Sequence, residues 1–198
     1  MASQNVTPPN LPIAPAAYEQ RYQDQFMNVL RLFFNRITTK INAPVPHGSF
    51  YDTTTQTNPV ANQVNLMSFN SVYDNGTQYA VKKDTTRIFI TQTGVYNIQF
   101  SAQLDKTGGS ASDVFIWIRV NGQNVPYSAS KVVIDGPNSE IIAAWNWVLV
   151  LGEGEYIELA WQSPDTNVIL LAAPASGNIP EIPSVILTVT YVSAVNQP

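Results

Sequence analysis

The chain has 198 residues, of which only 12% are charged, with a net charge of −4 and no cysteine. That length accommodates one good-sized β core with an extension. The composition excludes disulfides and thiolate-bound metal, and the scattered Lys and Arg form no basic stripe for nucleic acid. So little charge, well under the usual quarter, predicts a surface partly covered in an assembly, although neutral Asn, Gln, Ser and Thr side chains also keep a chain soluble.

Residues 1–15 carry Pro8, Pro9, Pro12 and Pro15 and no charge, the signature of an extended arm that forms no helix. They lack the basic and apolar regions of a signal peptide. No apolar run approaches the roughly 18 residues that would span a bilayer. Synthesis in the cytoplasm and no membrane partner are therefore expected, and the glycosylation-like triplets at Asn5 and Asn75 read as chance.

In residues 16–46 the pattern changes. Tyr18, Tyr22, Phe26, Val29, Leu30, Phe33, Phe34, Ile37 and Ile41 recur at three- and four-residue steps, which predicts an amphipathic helix from Ala16 to about Asn42. Pro15 suits its start; Pro44 and Pro46 stop it. So wide an aromatic face needs a partner. Three remain open: the chain's own β domain, two further copies around an axis, or a neighbouring protein. The stripe lacks the clean heptads of a coiled coil.

From residue 47 to the end, short apolar strands are predicted at 63–69, 87–91, 94–104, 113–120, 141–151, 156–162, 168–172 and 184–192. Turn clusters separate them, such as Lys106-Thr107-Gly108-Gly109-Ser110, Asn121-Gly122 and Asp135-Gly136-Pro137-Asn138. Asn75-Gly76 reads as a turn, and the alternation through Phe89 and then Tyr96 and Phe100 reads as a hairpin with Gly94 at its bend. Eight or more short strands mean an antiparallel sandwich or jelly roll.

The order of Phe89, Gly94, Tyr96 and Phe100 resembles the globular head of the complement and tumour necrosis factor superfamily. So do Val64 to Phe69, Phe115 to Val120 with Asn121-Gly122, Trp147 to Leu159, and Ser184 to Val189. The likeness runs from about Asn62 to Val192, lacks the family's closing F.G.L signature, and implies a ten-stranded jelly-roll head that forms a homotrimer. The run Tyr22 to Ile37 (YQDQFMNVLRLFFNRI) resembles the helix heading many small virion proteins of tailed bacteriophages, especially cyanophages. That likeness implies a virion protein made in the host cytoplasm.

A catalytic reading finds little. His47 is the only histidine and reads as an exposed linker residue between Pro46 and Gly48. Asp105, Asp113, Asp135, Glu140, Asp165 and Glu181 fall in or near turns and read as solvated acids, although paired carboxylates could hydrolyse glycosides. Asp165 with Asn167, or Asp105 with Asp113, could offer calcium two ligands where six to eight are wanted, so metal binding stays open. Gly152-Glu153-Gly154 is a turn with no phosphate-binding Lys behind it. Trp117, Trp145, Trp147 and Trp161 are expected to pack rather than to stack sugars.

The expectation is thus a non-enzymatic protein without a cofactor: a trimeric capsid decoration, cement or head-fibre-type protein. Its arm, helix and linker attach it to capsid or tail proteins or trimerise it. The alternative is a tail- or capsid-borne adhesin whose loops bind a host receptor or surface glycan.

Overall fold

The computed structural model describes residues 8–41, 46–74, 80–82 and 84–195. The chain divides into two units, residues 1–45 and 46–198.

The first unit contains one helix, α1 (Gln20–Ile41), preceded by an arm without regular structure from Pro8 to Glu19. The helix starts four residues later than its apolar period suggests. Tyr18 lies outside it and is exposed.

The second unit is a mostly β, antiparallel jelly-roll sandwich. Its strands are β1 (His47–Asp52), β2 (Gln56–Thr57), β3 (Asn65–Leu66), β4 (Ser71–Asp74), β5 (Ala80–Lys82), β6 (Ile88–Ile90) and β7 (Gly94–Lys106). They continue with β8 (Ser112–Val120), β9 (Gln123–Asn124), β10 (Ser130–Ile134), β11 (Ser139–Leu151), β12 (Tyr156–Gln162), β13 (Val168–Leu170) and β14 (Val185–Ser193). In the first sheet β7 pairs with β11 along its whole length on one side. On its other side it pairs with β14 and, beyond that, β13; β14 leads on to β1 and β4, and β13 to β2. The second sheet runs β10-β8-β12-β6-β5, with β3 beside β12 and β9 beside β8.

Alternation explains the sandwich. Along β7, Tyr96, Ile98, Phe100, Ala102 and Leu104 are buried, whereas Asn97, Gln99, Ser101 and Gln103 face away from the core. Ile116 and Ile118 of β8 and Ile157, Leu159 and Trp161 of β12 fill the same core from the other sheet. Burying one such side chain contributes about 2 kcal/mol, so the core holds the sheets together without covalent help. Trp145 and Trp147 pack on Phe100 at 4.7 and 5.2 Å between centroids. Trp161 is fully buried, and Trp117 donates from Nε1 to Asn124 Oδ1 at 2.8 Å.

Several local expectations need correction. β6 and β7 form no hairpin, because β6 pairs with β5 and β12 in the second sheet while β7 lies in the first. Gly94 is required for another reason: a Cβ there would collide with the Tyr191 ring and lie 2.8 Å from the Ser193 carbonyl, where the β7–β14 register shifts. Only Asn65 and Leu66 of the expected 63–69 strand pair as a ladder. Met67 and Phe69 are nevertheless buried, their amides donating to Leu159 O and Thr85 O. His47 is not a linker residue; it opens β1, opposite Thr190, and is half-buried. β1 and β10 were not anticipated. The expected Asn75-Gly76 turn lies outside the described residues. The Asn121-Gly122 turn is present, with φ of 51° and 76°, the left-handed pair that a two-residue hairpin loop needs.

Candidate interaction surfaces

On α1 the half-buried positions are Tyr22, Phe26, Val29, Leu30, Phe33 and Ile37, one side of the helix, and no described residue of α1 is buried. Tyr22 stacks on Phe26 at 6.2 Å and its hydroxyl donates to Pro12 O at 3.4 Å. Phe34 is 58% exposed and leans on Phe33 at 5.8 Å. The opposite side carries Asn28, which accepts from Arg31 at 2.9 Å, and Asn35, whose carbonyl accepts from Thr39. Ile41 ends the helix, and its side chain lies outside the description.

The outer faces of the two sheets differ in chemistry. On the first, the outward positions are Ile142, Ala144, Asn146, Val148 and Val150 of β11, then Val95, Asn97, Gln99, Ser101 and Gln103 of β7. Beyond them come Ile186, Thr188 and Thr190 of β14 and Ser49 and Tyr51 of β1. Amides and hydroxyls satisfy one another there: Asn146 donates to Asn97 at 3.0 Å, and Ser49 lies 3.3 Å from Thr188. At one end of β7 and β11 the charged Asp105 and Glu140 stand opposite each other, beyond these neutral positions. Ile142, Val148 and Val150 are 62%, 59% and 64% exposed, and at the far edge Tyr51 stacks on Tyr73 at 4.1 Å.

The second sheet's outer face carries a charge cluster that alternation alone did not reveal. Glu158, central on β12 and buried, accepts from Arg87 Nε at 3.2 Å and lies 3.6 Å from Arg119. Arg87 also covers the Tyr156 ring at 4.7 Å. The Glu158 hydrogen bond, followed by the neighbouring Tyr156, holds the Arg87 guanidinium above its ordinary value. A signal existed in the sequence: a lone Glu between Ile157 and Leu159 on a central strand demands cationic partners.

The candidate acids do not converge. Asp165 is not a solvated turn acid. It pairs with the fully buried Lys106 and accepts from the Asn167 amide at 2.9 Å, and these bonds, Lys106 first, hold its carboxyl below the usual range. Asp113 lies within β8 and meets Lys131 at 3.4 Å. Asp105 is half-buried on β7 and accepts from the Lys106 amide. Asp135, Glu140 and Glu181 are exposed. Among the described residues no three His, Cys, Asp or Glu side chains are grouped so as to hold a metal. Asp52, also missed, is buried and bonded to Thr54 and Ser68, tying β1 to the segment before β4. Burial, with Tyr191 second, pushes the Tyr96 phenol up to about 12. Its hydroxyl donates to Gln92 O at 2.6 Å.

No known family model matches the chain, and no curated protein matches it. Among solved structures it is similar to the globular domain of zebrafish complement 1qA protein, at 12% identity over 76% of this chain and 99% of that one, with a TM-score of 0.44.

Proposed function

We propose that the protein is a non-enzymatic virion structural protein of a tailed bacteriophage. In this reading its jelly-roll units form a homotrimer as a capsid decoration, cement or head-fibre knob, and its helix stripe attaches it to the particle. The observation that carries the assembly is the neutral outer face of the first sheet. An exposed apolar row lies on β11 and an aromatic pair on β1 and β4, at opposite edges. Two unlike strips on one face suit head-to-tail contact, which closes into a ring.

β11 reinforces this. Among the described residues it pairs only with β7, along thirteen residues without Pro, Lys or a bulge, and folded proteins rarely leave such an edge uncovered. The virion setting rests on the likeness of residues 22–37 to phage virion helices, and the half-buried stripe from Tyr22 to Ile37 supports attachment.

Sedimentation of the full chain at micromolar concentration should give three times the chain mass, and Val148→Glu with Val150→Glu should give monomers with unchanged circular dichroism. A monomeric parent chain, in solution and on particles, would refute the trimer. Imaging of intact particles without the protein would refute the virion setting. A Phe26→Asp, Phe33→Asp chain that incorporates at normal copy number would refute the anchor.

A further inference from the structure

Tyr127 lies in the connection from β9 to β10, in a turn whose Ser128 amide donates to Val125 O at 3.4 Å. Pro126 takes the first central position and Tyr127 the second, with φ of 61°. That position of such a turn requires a left-handed backbone, normally supplied by Gly or Asn. Among the described residues the other three non-glycine positions with positive φ, Asn62, Asn121 and Asn138, are asparagines, which tolerate it. A bulky aromatic there is an outlier.

The fold gains nothing visible from it. Tyr127 is fully exposed and has no hydrogen bond or ring contact among the described residues. Beneath it the turn is firmly held: Ser128 Oγ reaches Ile118 O and Val125 O, and Trp147 Nε1 donates to Ser128 O at 3.0 Å. A side chain that breaks a local rule without intramolecular compensation marks a functional position.

We infer that Tyr127 is the stacking platform of a site for a neutral oligosaccharide. Residues 121–130 carry no charge and present the exposed amides of Gln123 and Asn124. The Asn124 oxygen is taken by Trp117, which leaves its Nδ2 hydrogens without a partner among the described residues. An aromatic ring with adjacent amide donors matches the apolar C–H face and hydroxyls of a hexose. A lone protruding ring offers far less area than the roughly 800 Å² per partner of a protein interface. The inference draws on the trimer reading only for avidity, since three copies would multiply a weak contact.

The test is an array of neutral gluco-, galacto- and manno-oligosaccharides of about six sugars, with acidic ones alongside, probed with the full chain. Tyr127→Phe should keep binding, whereas Tyr127→Ala and Tyr127→Gly should lose at least about tenfold. Because glycine relieves the backbone, Tyr127→Gly should also raise Tm by roughly 2 °C. No neutral sugar retained, acidic sugars alone retained, or binding unchanged in Tyr127→Gly would overturn the site. Sedimentation of the same samples separates the two readings. A parent chain that binds as a monomer refutes only the trimer, and a Tyr127→Gly chain that keeps its sugars but dissociates makes the tyrosine a subunit contact instead.

Discussion

The two outer faces of the sandwich obey the same alternation but handle polarity differently. The second sheet places Glu158 at the middle of β12 and pairs it with Arg87 and Arg119, so its charge is balanced within the chain even though Glu158 Oε2 and Arg119 Nε make no hydrogen bond among the described residues. The first sheet carries Ser, Thr, Asn and Gln across its centre and leaves Ile142, Val148 and Val150 bare along β11. A face that settles its own electrostatics is finished as a monomer. A neutral face with an apolar margin loses little by desolvation, so association is cheap there. The contrast also explains where the chain's scarcity of charge is concentrated.

The largest effect lies in the core that both sheets share. Phe100→Ala removes the ring that Trp145 and Trp147 pack on and should cost about 4 kcal/mol in urea unfolding. Next, Asp165→Ala strands the buried Lys106 ammonium, with an expected loss of about 3 kcal/mol.

The acid profile follows from the same pair. Asp165 has its folded value lowered from 3.8, so its contribution is present above that value and is lost as pH falls through the lower folded one. Asp165→Asn should flatten that part of the stability curve below about pH 4, measured by thermal melts across pH.

Smaller and more diagnostic is Glu158→Gln, which leaves two arginines facing a neutral group. Both arginines reach solvent, so the loss should be about 2 kcal/mol, with oligomeric mass unchanged. The mirror experiment on the first face is Ile142→Ser. It should change unfolding of the monomer by less than about 0.5 kcal/mol while weakening assembly in sedimentation. If Ile142→Ser unfolds the chain as Glu158→Gln does, the distinction between a finished and an unfinished face is wrong.

The strand pattern was readable because apolar residues recur with period two. Tyr156 to Gln162 was read to the residue, and Asn121-Gly122 was read as a turn from its residue types. The reading of β6 and β7 as a hairpin failed because a glycine between two strands looks the same whether the chain reverses within a sheet or crosses to another. Asp165 was read as solvated since its partner, Lys106, is 59 residues away.

By itself, the sequence determined what local periodicity and backbone chemistry determine: one amphipathic helix, an antiparallel β unit after residue 46, and the aromatic stripe from Tyr22 to Ile37. Only the tertiary structure decided which strands share a sheet, which acids are paired, which outer face is neutral, and that Tyr127 stands alone on a strained turn. Those features depend on contacts between residues far apart in the chain, where burial and pairing are set by partners that no local window contains.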